Sequence, residues 1–490
     1  MAHVNVKTLP GKPLLTVFLF LAGFFLMNTG LLRAQEMDTE FSLDDCINYA
    51  IEHNIDIKKQ MLGVKAVEAD LLQSKLIMLP DLNAGGNHVY NWGQTIDRYT
   101  NEFATNRVLS NNFYLSSNLT LFNGLRKINT MKQNEIELEA SRYDLDYTMD
   151  NISVTIAGFY LDILFNEELL MVAEEQLAVT SQQVERMRKM VAAGSMAKGD
   201  LLNIEAQAAT EELQLVEMQN NVQLSYLNLM QLIDYPVSEA FSIEKPELRA
   251  IEAPSIAIKS DDIYDIAVNN RPEVKSAELR VESAEKGISL ARGYLSPTLS
   301  LSGTWATGYS GARTEGLNPF QEVIPFGFTE SGENVYVQTE SFEEFQTVPW
   351  DQQIRDNNNR TVGLNLQIPI YNGWQVRTAI NKAKIAREEA GYNLQQTKLE
   401  LNKEIQQAYL DAVSALKNYN AAEKKVRAQR EAFKYAQQRF DVGLLNSVEY
   451  NETKKELTKA ESELLQAKYN YIFTTTVLDF YMGRPLSIEN

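Results

Sequence analysis

The chain has 490 residues, enough for two or three ordinary domains or for one elongated one. It carries 46 Lys and Arg against 65 Asp and Glu, a net charge of −19. This charge excludes nucleic acid as an expected partner, because phosphate binding needs a basic face. Three His and one Cys rule out a disulfide framework and leave almost nothing for metal sites built from His or Cys.

The N-terminus has the pattern of a secretory signal. Lys7 and Lys12 precede an apolar run from Leu14 to Met27, and the sequence continues to a small residue at Ala34. About 14 apolar residues are too few to span a bilayer as a helix. We expect residues 1–34 to be a cleaved signal peptide and the mature chain to be exported. A retained membrane anchor is the alternative.

Proline placement predicts long helices. No proline lies between Pro80 and Pro236, and none lies between Pro369 and Pro485. Proline breaks helix interiors, and both stretches are rich in Ala, Leu, Glu, Lys and Gln, which favour helices. We therefore expect two long helical segments, one in each half of the chain.

The two halves also match each other as an internal repeat. Pro80 corresponds to Pro297, an offset of 217 in residue number, and Gly194 corresponds to Gly443, an offset of 249. The increase from 217 to 249 places an insertion in the second copy. The predicted units are a first repeat, a linker and a second repeat, at 35–236, 237–256 and 257–490.

Each repeat changes its periodicity in the same order. A helical segment leads to two stretches of alternating apolar and small polar residues, which is a strand pattern. The strands are expected at 82–92 and 115–121, and in the second copy at 298–305 and 364–370. A heptad pattern then runs from Ile405 to Phe440 and recurs at the offset of 249 in the first copy, which is typical of coiled-coil packing. Each repeat is thus helix, strand, strand, long helix, turn, helix.

These elements together predict a membrane β-barrel joined to a helical tunnel. Strands of about 10 residues with one apolar face fit a barrel wall, and a sheet in lipid must close on itself. Four strands make too small a barrel for a water-filled lumen, so several chains must contribute. Three chains would give a trimeric twelve-stranded barrel. Helices of about 100 Å would continue it as a tunnel into the periplasm.

Three short motifs support a resemblance to a known family. Phe122 precedes Asn123-Gly124, and Asn372-Gly373 stands at the corresponding junction of the second copy. The third motif runs over the six residues that end at Leu444. With these motifs, the duplication and the helical hairpins, nearly the whole mature chain resembles the TolC family of outer-membrane efflux and secretion channels. The resemblance implies a homotrimer in the outer membrane that docks to a periplasmic adaptor protein and an inner-membrane pump.

The resemblance also implies roles for residues at the hairpin turns. The adaptor-docking tips would be Val442, Gly443 and Leu444 in the second hairpin and Ala193, Gly194 and Ser195 in the first. A helix C-cap is the alternative, structural reading of both glycines.

Acidic residues follow the second tip. Glu449 and Glu452 lie three apart on one helix face, and Asp200 is the repeat equivalent of Glu449. Rings of carboxylates in a narrow pore attract cations, so these acids are candidates for a periplasmic gate. An ordinary solvated face is the alternative.

The insertion, at about 304–360, has an unusual composition. From Thr314 to Ile354 it contains eight acids, no Lys or Arg, and several aromatic residues. By topology it joins two strands on the side away from the long helices. We expect a long external loop; a lid or a partner-binding segment is the alternative.

The sequence thus predicts the outer-membrane channel component of a tripartite efflux pump or a type I secretion system. A soluble periplasmic coiled-coil adaptor or scaffold is the alternative. The sequence shows no nucleophile elbow, phosphate loop or metal cluster, so we expect no catalytic residue, no cofactor and no enzymatic activity. We expect the strands to contact outer-membrane lipid.

Overall fold

The computed structural model describes residues 40–104, 107–246 and 258–488. The predicted signal peptide and part of the predicted linker lie outside these ranges. The helices are α1 (Leu43–His53), α2 (Ile55–Leu76), α3 (Arg126–Ala192), α4 (Lys198–Ile233), α5 (Ser260–Asn270), α6 (Pro272–Gly293), α7 (Trp350–Asp356), α8 (Gln375–Asp441) and α9 (Ser447–Tyr481). The strands are β1 (Glu40–Phe41), β2 (Asn83–Asn91), β3 (Thr95–Ile96), β4 (Phe103–Ala104), β5 (Val108–Phe122), β6 (Ser242–Ile243), β7 (Thr298–Ser310), β8 (Thr314–Phe328), β9 (Asn334–Thr347) and β10 (Asn359–Gln367).

The helices reproduce the internal repeat position by position. Helices α5 and α6 have the bounds of α1 and α2 at the offset of 217, and α8 has the bounds of α3 at the offset of 249. Both α3 and α8 contain 67 residues, about 100 Å at the rise of an α-helix. Left-handed backbone conformations repeat as well, at Gly194 and Gly443 and again at Asp234 and Gly483. The predicted tandem duplication is confirmed.

The repeats meet in one four-stranded antiparallel sheet with the order β10-β7-β5-β2. In the middle of the sheet, β5 of the first repeat pairs with β7 of the second, so that Leu115 lies opposite Trp305. The outer edges of β2 and β10 have no partner strand within the described residues. The four predicted strands are confirmed, although β5 starts earlier than expected and β10 ends at Gln367, two residues before Pro369, which has no N–H for a ladder.

Two apolar cores lie beyond the sheet, one centred on the helices of each repeat and both including α9. The first core packs α1 against α3, α4 and α9 around Ile156 and Tyr160, both fully buried. The second packs α5 and α6 against α8 and α9 around Ile405 and Ala412. Ile156 and Ile405 are repeat equivalents at the offset of 249. The predicted heptad seam is therefore the surface along which the long helices pack.

The insertion differs from the expected external loop. Strand β7 continues into it as far as Ser310, and β8 and β9 then form a long antiparallel hairpin that pairs with no other strand described here. The short helix α7 returns the chain to β10. Its Gln353, fully buried, donates from Nε2 to the carbonyls of Ser310 (2.9 Å) and Val348 (2.8 Å). Asp97 accepts from the Ser310 hydroxyl at 2.5 Å. The insertion is thus a folded arm with a buried polar base.

None of the helices in the described ranges combines the length and the apolar character needed to cross a membrane.

Candidate functional site: the hairpin tips

The two long hairpins reverse through the same hydrogen-bonded turn. In the first, the Ser195 N–H donates to the Met190 carbonyl at 3.0 Å, and in the second the Leu444 N–H donates to the Arg439 carbonyl at 2.8 Å. Between them Gly194 and Gly443 have φ of +74° and +73°. These are Schellman caps, in which the left-handed residue is usually glycine. The structural reading of both glycines is therefore sufficient to explain why they are there.

The residues around the two glycines differ in what they expose. Val442 and Leu444 leave 70% and 71% of their surface open to solvent, whereas the first turn offers Ala193 and Ser195, also exposed. The second tip is therefore an apolar projection, and the first is a small one with few distinguishing groups. Two large apolar side chains exposed together at the end of a helical hairpin suit a contact with another protein.

Glu449 is held at the start of α9. The Asn446 side chain accepts from the Glu449 N–H at 2.8 Å and donates to the Glu449 carboxylate at 3.1 Å. This reciprocal pair is an N-cap, and the helix dipole stabilises a negative charge in this first turn. Glu452 lies one turn further and is exposed, as Glu449 is.

The structure also brings Asp200 to the start of α9. Its carboxylate accepts from the hydroxyl of Ser447 at 2.9 Å, and Ser447 is the first residue of α9 and is buried. The Asn203 amide donates to the same hydroxyl at 3.5 Å. All three predicted gate acids therefore lie at the same end of the molecule, within the first turns of α4 and α9.

Further contacts join the two hairpins just above the tips. Gln183 donates to the Tyr450 hydroxyl at 2.5 Å, and the Tyr450 ring stacks on Phe440 with centroids 4.5 Å apart. Arg186 and Asp441 form an exposed ion pair at 2.9 Å. A cavity of about 370 Å³ lies between these contacts, lined by residues of both hairpins that include three methionines: Met187, Met190 and Met196.

A buried ion pair closes this interface one turn above Tyr450. The Lys454 ammonium lies 2.8 Å from the Glu211 carboxylate, and their side chains are only 8% and 6% exposed. Lys454 also donates to the Thr180 hydroxyl, and Gln207 donates to the same Glu211 oxygen at 2.9 Å. Sequence reasoning missed this pair, and the repeat offered no signal for it, because the equivalents of Lys454 and Glu211 are Glu205 and Ala460.

The predicted strand-to-helix junctions lie at the opposite end of α3 and α8. Gly124 and Gly373 have positive φ of +69° and +60°. A Cβ at Gly124 would collide with the Gly293 carbonyl and with Ser296, whereas a Cβ at Gly373 would meet no atom within 4 Å. Asn123 and Asn372 precede these glycines, and their carbonyls accept from the first turn of each long helix. The first junction is thus packed within the chain and the second is open.

Midway along the helices, several acids surround one buried arginine. Arg271 pairs with Asp150 at 3.1 Å and with Glu273 at 3.2 Å. Glu404 accepts from the Tyr481 hydroxyl at 3.4 Å. Burial, and then the Glu273 charge, raise the pKa of Glu404 above its ordinary value, and burial raises the pKa of Tyr481 to about 12. In the described parts of the chain no group of His, Cys, Asp and Glu is placed to hold a metal ion.

Among the described residues, the four-stranded sheet has two unpartnered edges at one end of the molecule, and the two exposed hairpin tips lie at the other end. This arrangement defines an elongated channel subunit. The sequence matches the family described as "Outer membrane efflux protein" over residues 46–234 and 263–484. The chain belongs to this family, whose TolC-like members are channels and transport proteins of the bacterial outer membrane.

Known proteins resemble the chain over most of its length. Nodulation protein T of Rhizobium leguminosarum bv. trifolii is 20% identical over 446 residues, 90% of this chain and 85% of that protein. Outer membrane protein TolC of Escherichia coli K12 is 20% identical over 435 residues, 88% of this chain and 80% of that protein. The crystal structure of the outer membrane protein VceC from Vibrio cholerae superimposes with a TM-score of 0.70 at 17% identity and covers 91% of this chain and 97% of that one.

The resemblance stated from the motifs is therefore confirmed, and so are the location in the outer membrane and the fold class of a barrel portion joined to a long helical tunnel. The protein is an outer-membrane channel component of an export system, and such channels imply an adaptor and an inner-membrane pump as partners. A periplasmic scaffold does not account for this family assignment.

Proposed function

We propose that three copies of the chain form one export conduit through the outer membrane and the periplasm. Their sheets close into a twelve-stranded barrel, and their helices continue it as a periplasmic tunnel whose tips dock to an adaptor and an inner-membrane pump. The single observation that carries this proposal is the geometry of the repeat. Inside the chain, the end of the first repeat's sheet pairs with the start of the second repeat's sheet. The surfaces that would form the equivalent contact, one at each outer edge of the chain, are left open among the described residues.

The sheet supports this most directly. Inside the chain β5 pairs with β7, and the repeat makes β10 the equivalent of β5 and β2 the equivalent of β7. Among the described strands, β10 and β2 are the two free edges of this sheet. Leu364, the equivalent of Leu115, is 69% exposed where Leu115 is 38% exposed. A β2 strand from a second copy would cover the β10 edge as β7 covers β5.

The helices also leave open the surfaces that are equivalent to a contact made inside the chain. Helix α3 packs against α6, where the Asp144 carboxylate accepts from the Ser276 hydroxyl at 2.6 Å and pairs with Arg280 at 2.5 Å. The equivalent side of α8 exposes large apolar residues seven apart, at Ile385, Tyr392 and Leu399. The equivalent side of α2 is exposed too, at Lys59, Gly63, Ala66 and Asp70. The α2 helix of a second copy therefore has an open place against α8.

The repeat also fixes the register between copies. Leu115 lies opposite Trp305, and Phe113 lies opposite Thr307. Adding 249 to the first member and subtracting 217 from the second places Leu364 opposite His88 and Val362 opposite Tyr90 of the next copy. Neighbouring strands in this register would carry the main-chain hydrogen bonds that a sheet in lipid must satisfy.

Cysteine cross-linking tests this register. The variant Leu364→Cys with His88→Cys should form a disulfide between copies, and the product should run as a covalent trimer after heat denaturation without reductant and as a monomer after reduction. The matched control, Leu364→Cys with Gly86→Cys, shifts the pair by two residues and exceeds the Cα separation that a disulfide spans. The native Cys46 is buried and does not interfere. Equal cross-linking of both variants, or none of either in a membrane-inserted protein, would contradict the proposed closure.

We further propose that Glu449, Glu452 and Asp200 ring the periplasmic mouth of this conduit. Their position supports this, because they share the tip end of the hairpins and two of them are exposed. Val442, Gly443 and Leu444 form the main adaptor contact, with Ala193, Gly194 and Ser195 as a weaker one. The exposed apolar side chains of the second tip support the unequal roles.

Ion selectivity tests the gate. Glu449→Gln with Glu452→Gln should reduce the preference of the open channel for cations, because both carboxylates lie near the narrow mouth. The matched control, Glu388→Gln with Glu389→Gln, removes two exposed charges near the other end of α8. If the two double variants change the reversal potential equally, the acids at the tips form an ordinary solvated face.

A further inference from the structure

The hairpin formed by β8 and β9 combines three properties that isolated hairpins avoid. It is long, with the two strands paired from Thr314 opposite Thr347 to Phe328 opposite Asn334. It pairs with no other described strand, and a lone two-stranded hairpin is at best marginally stable in water. It also exposes large apolar side chains, at Val323, Phe326, Phe328, Tyr336 and Phe345. A surface of this kind is typical of a segment that another molecule covers.

The base of this arm is held rigidly. Gln353 of α7 bonds to both sides of the arm, and the Arg313 guanidinium donates to Asn357 at 2.7 Å. The Val348 N–H donates to the Arg313 carbonyl at 2.9 Å. The chain therefore presents the hairpin in a fixed direction from the end of the sheet, which reduces the ordering entropy lost when a partner binds.

The two free edges of the arm are not equivalent. Strand β8 contains Pro319 and Pro325, and Asn318 between its ends has a positive φ of +54°. Proline has no N–H to donate to a neighbouring strand and is therefore found on the edge strands of sheets, so the β8 edge is protected against pairing with a further strand. Strand β9 has neither proline nor glycine nor lysine from Asn334 to Thr347. The open edge of the arm is therefore the β9 edge.

Charge determines which chemistry fits there. From Thr314 to Ile354 the chain carries eight acids and no Lys or Arg. A second copy of the arm would add as many acids again, and a phosphate-bearing lipid surface would add like charge, so both are repelled. A cationic polypeptide is attracted, and an extended one can use the main-chain groups of the β9 edge as well as the exposed apolar side chains.

We propose that the β9 edge binds an extended, Lys- or Arg-rich segment of a protein outside the cell by strand addition. The location outside the cell rests on the proposed function, through the orientation of the channel. The binding itself concerns a surface that the conduit does not use. Its partner is defined by chemistry: a strand with alternating basic and apolar side chains.

Binding is measured with the full-length protein in detergent and a fluorescent decapeptide of alternating Lys and Val. A peptide with Glu in place of Lys should not bind. The same Lys–Val peptide with alternate N-methylated amides should bind at least about tenfold more weakly, because it cannot complete a strand ladder. Equal binding of the methylated peptide would reduce the effect to charge attraction and overturn strand addition, and so would absence of binding by the Lys–Val peptide.

Matched variants place the site on the arm. Glu340→Lys with Glu344→Lys reverses two charges on β9 and should weaken binding of the Lys–Val peptide by about tenfold or more. Glu330→Lys with Glu333→Lys makes the same change in net charge at the β8–β9 turn and should weaken binding of the peptide much less. Equal losses in the two variants would contradict a site along β9.

The outside location is tested separately on intact cells. Ser331 lies in the β8–β9 turn and is exposed. Ser331→Cys should react with a maleimide that does not cross the outer membrane. Reaction only after the membrane is permeabilised would overturn an external partner. If the cross-linked trimer still forms in those cells, the conduit stands and the external strand addition alone fails.

Discussion

Removing one member of the buried pair between Lys454 and Glu211 should be among the most damaging single changes in the hairpins. The pair joins α9 of the second hairpin to α4 of the first, and both side chains are more than nine-tenths buried. In Lys454→Ala, the Glu211 carboxylate keeps only the bond from Gln207 within the described structure. A carboxylate left buried in this way has lost the charge that compensated its desolvation.

The structure supplies the scale of the effect and its comparison. Breaking a buried ion pair from one side costs about 3–5 kcal/mol, whereas an exposed pair contributes about 0–1 kcal/mol. Arg186 and Asp441 form such an exposed pair in the same interface, with side chains 61% and 42% exposed. Replacing both buried partners, as in Lys454→Met with Glu211→Met, should cost far less than either single change. The second Glu211 oxygen already lacks a hydrogen-bond partner among the described residues, which favours the apolar replacement.

Thermal unfolding followed by helical circular dichroism measures these differences in one detergent. The expected order of melting temperatures is wild type and the double Met variant highest, then Arg186→Ala, then Lys454→Ala and Glu211→Ala. Unfolding of Lys454→Ala at the temperature of Arg186→Ala would refute a strong buried pair. A double Met variant that loses the sum of the two single losses would refute it as well, because the two residues would then not be coupled.

Three further predictions concern the junctions, the polar cluster and the cysteine. Both Gly124→Ala and Gly373→Ala strain a left-handed backbone, but only Gly124→Ala adds a collision with Gly293, so it should lower the melting temperature more strongly. Gly373→Ala, at the open junction, should also lower the fraction of trimer on a native gel. The raised pKa of Glu404 means that the folded state binds a proton more readily than the unfolded state. The stability of the protein therefore falls as the pH rises from the ordinary carboxyl pKa through the pKa of Glu404 in the folded state. Glu404→Gln should raise the melting temperature above that pH window and leave it unchanged at acid pH. Burial, with the nearby Asp45 charge, raises the pKa of Cys46 to about 12. Iodoacetamide at neutral pH should therefore modify this thiol only in denaturant. Modification of Cys46 in the folded protein would contradict its burial.

The features that could be predicted from the sequence are those that local patterns encode. The two offsets, 217 and 249, relate α5, α6 and α8 to their first-repeat equivalents position by position, because the same helix signals are present twice. Gly194 and Gly443 marked both hairpin turns, since a left-handed residue in a Schellman cap favours glycine. Alternation of apolar and small residues located the four strands of the central sheet within a few positions of most of their ends.

Features that depend on tertiary contacts were not predictable in this way. The sequence predicts an external loop where the structure has the arm of β8 and β9, because that prediction rests on the position of the insertion between two strands. In the structure, the positive φ of Asn318 and the irregularity near Phe326 interrupt the regular strand geometry of β8. Lys454 and Glu211 are 243 residues apart, and each fits the solvated face of a charged helix when seen alone. The three acids proposed for the gate were located by resemblance and by repeat equivalence. Their common position at the tips follows from helix packing, which local patterns do not contain.

Conductance in a planar lipid bilayer tests most directly whether the protein is a conduit. A closed mouth would keep the wild type silent, so the measurement includes a variant in which residues 184–204 and 433–453 are replaced by short glycine-serine turns. These two segments correspond through the offset of 249 and contain both tips and all three acids proposed for the gate. A conduit closed at its tips should give discrete, long-lived conductance steps in this variant, larger than any from the wild type. A trimeric, membrane-inserted variant without tips that passes no current would contradict the proposed conduit.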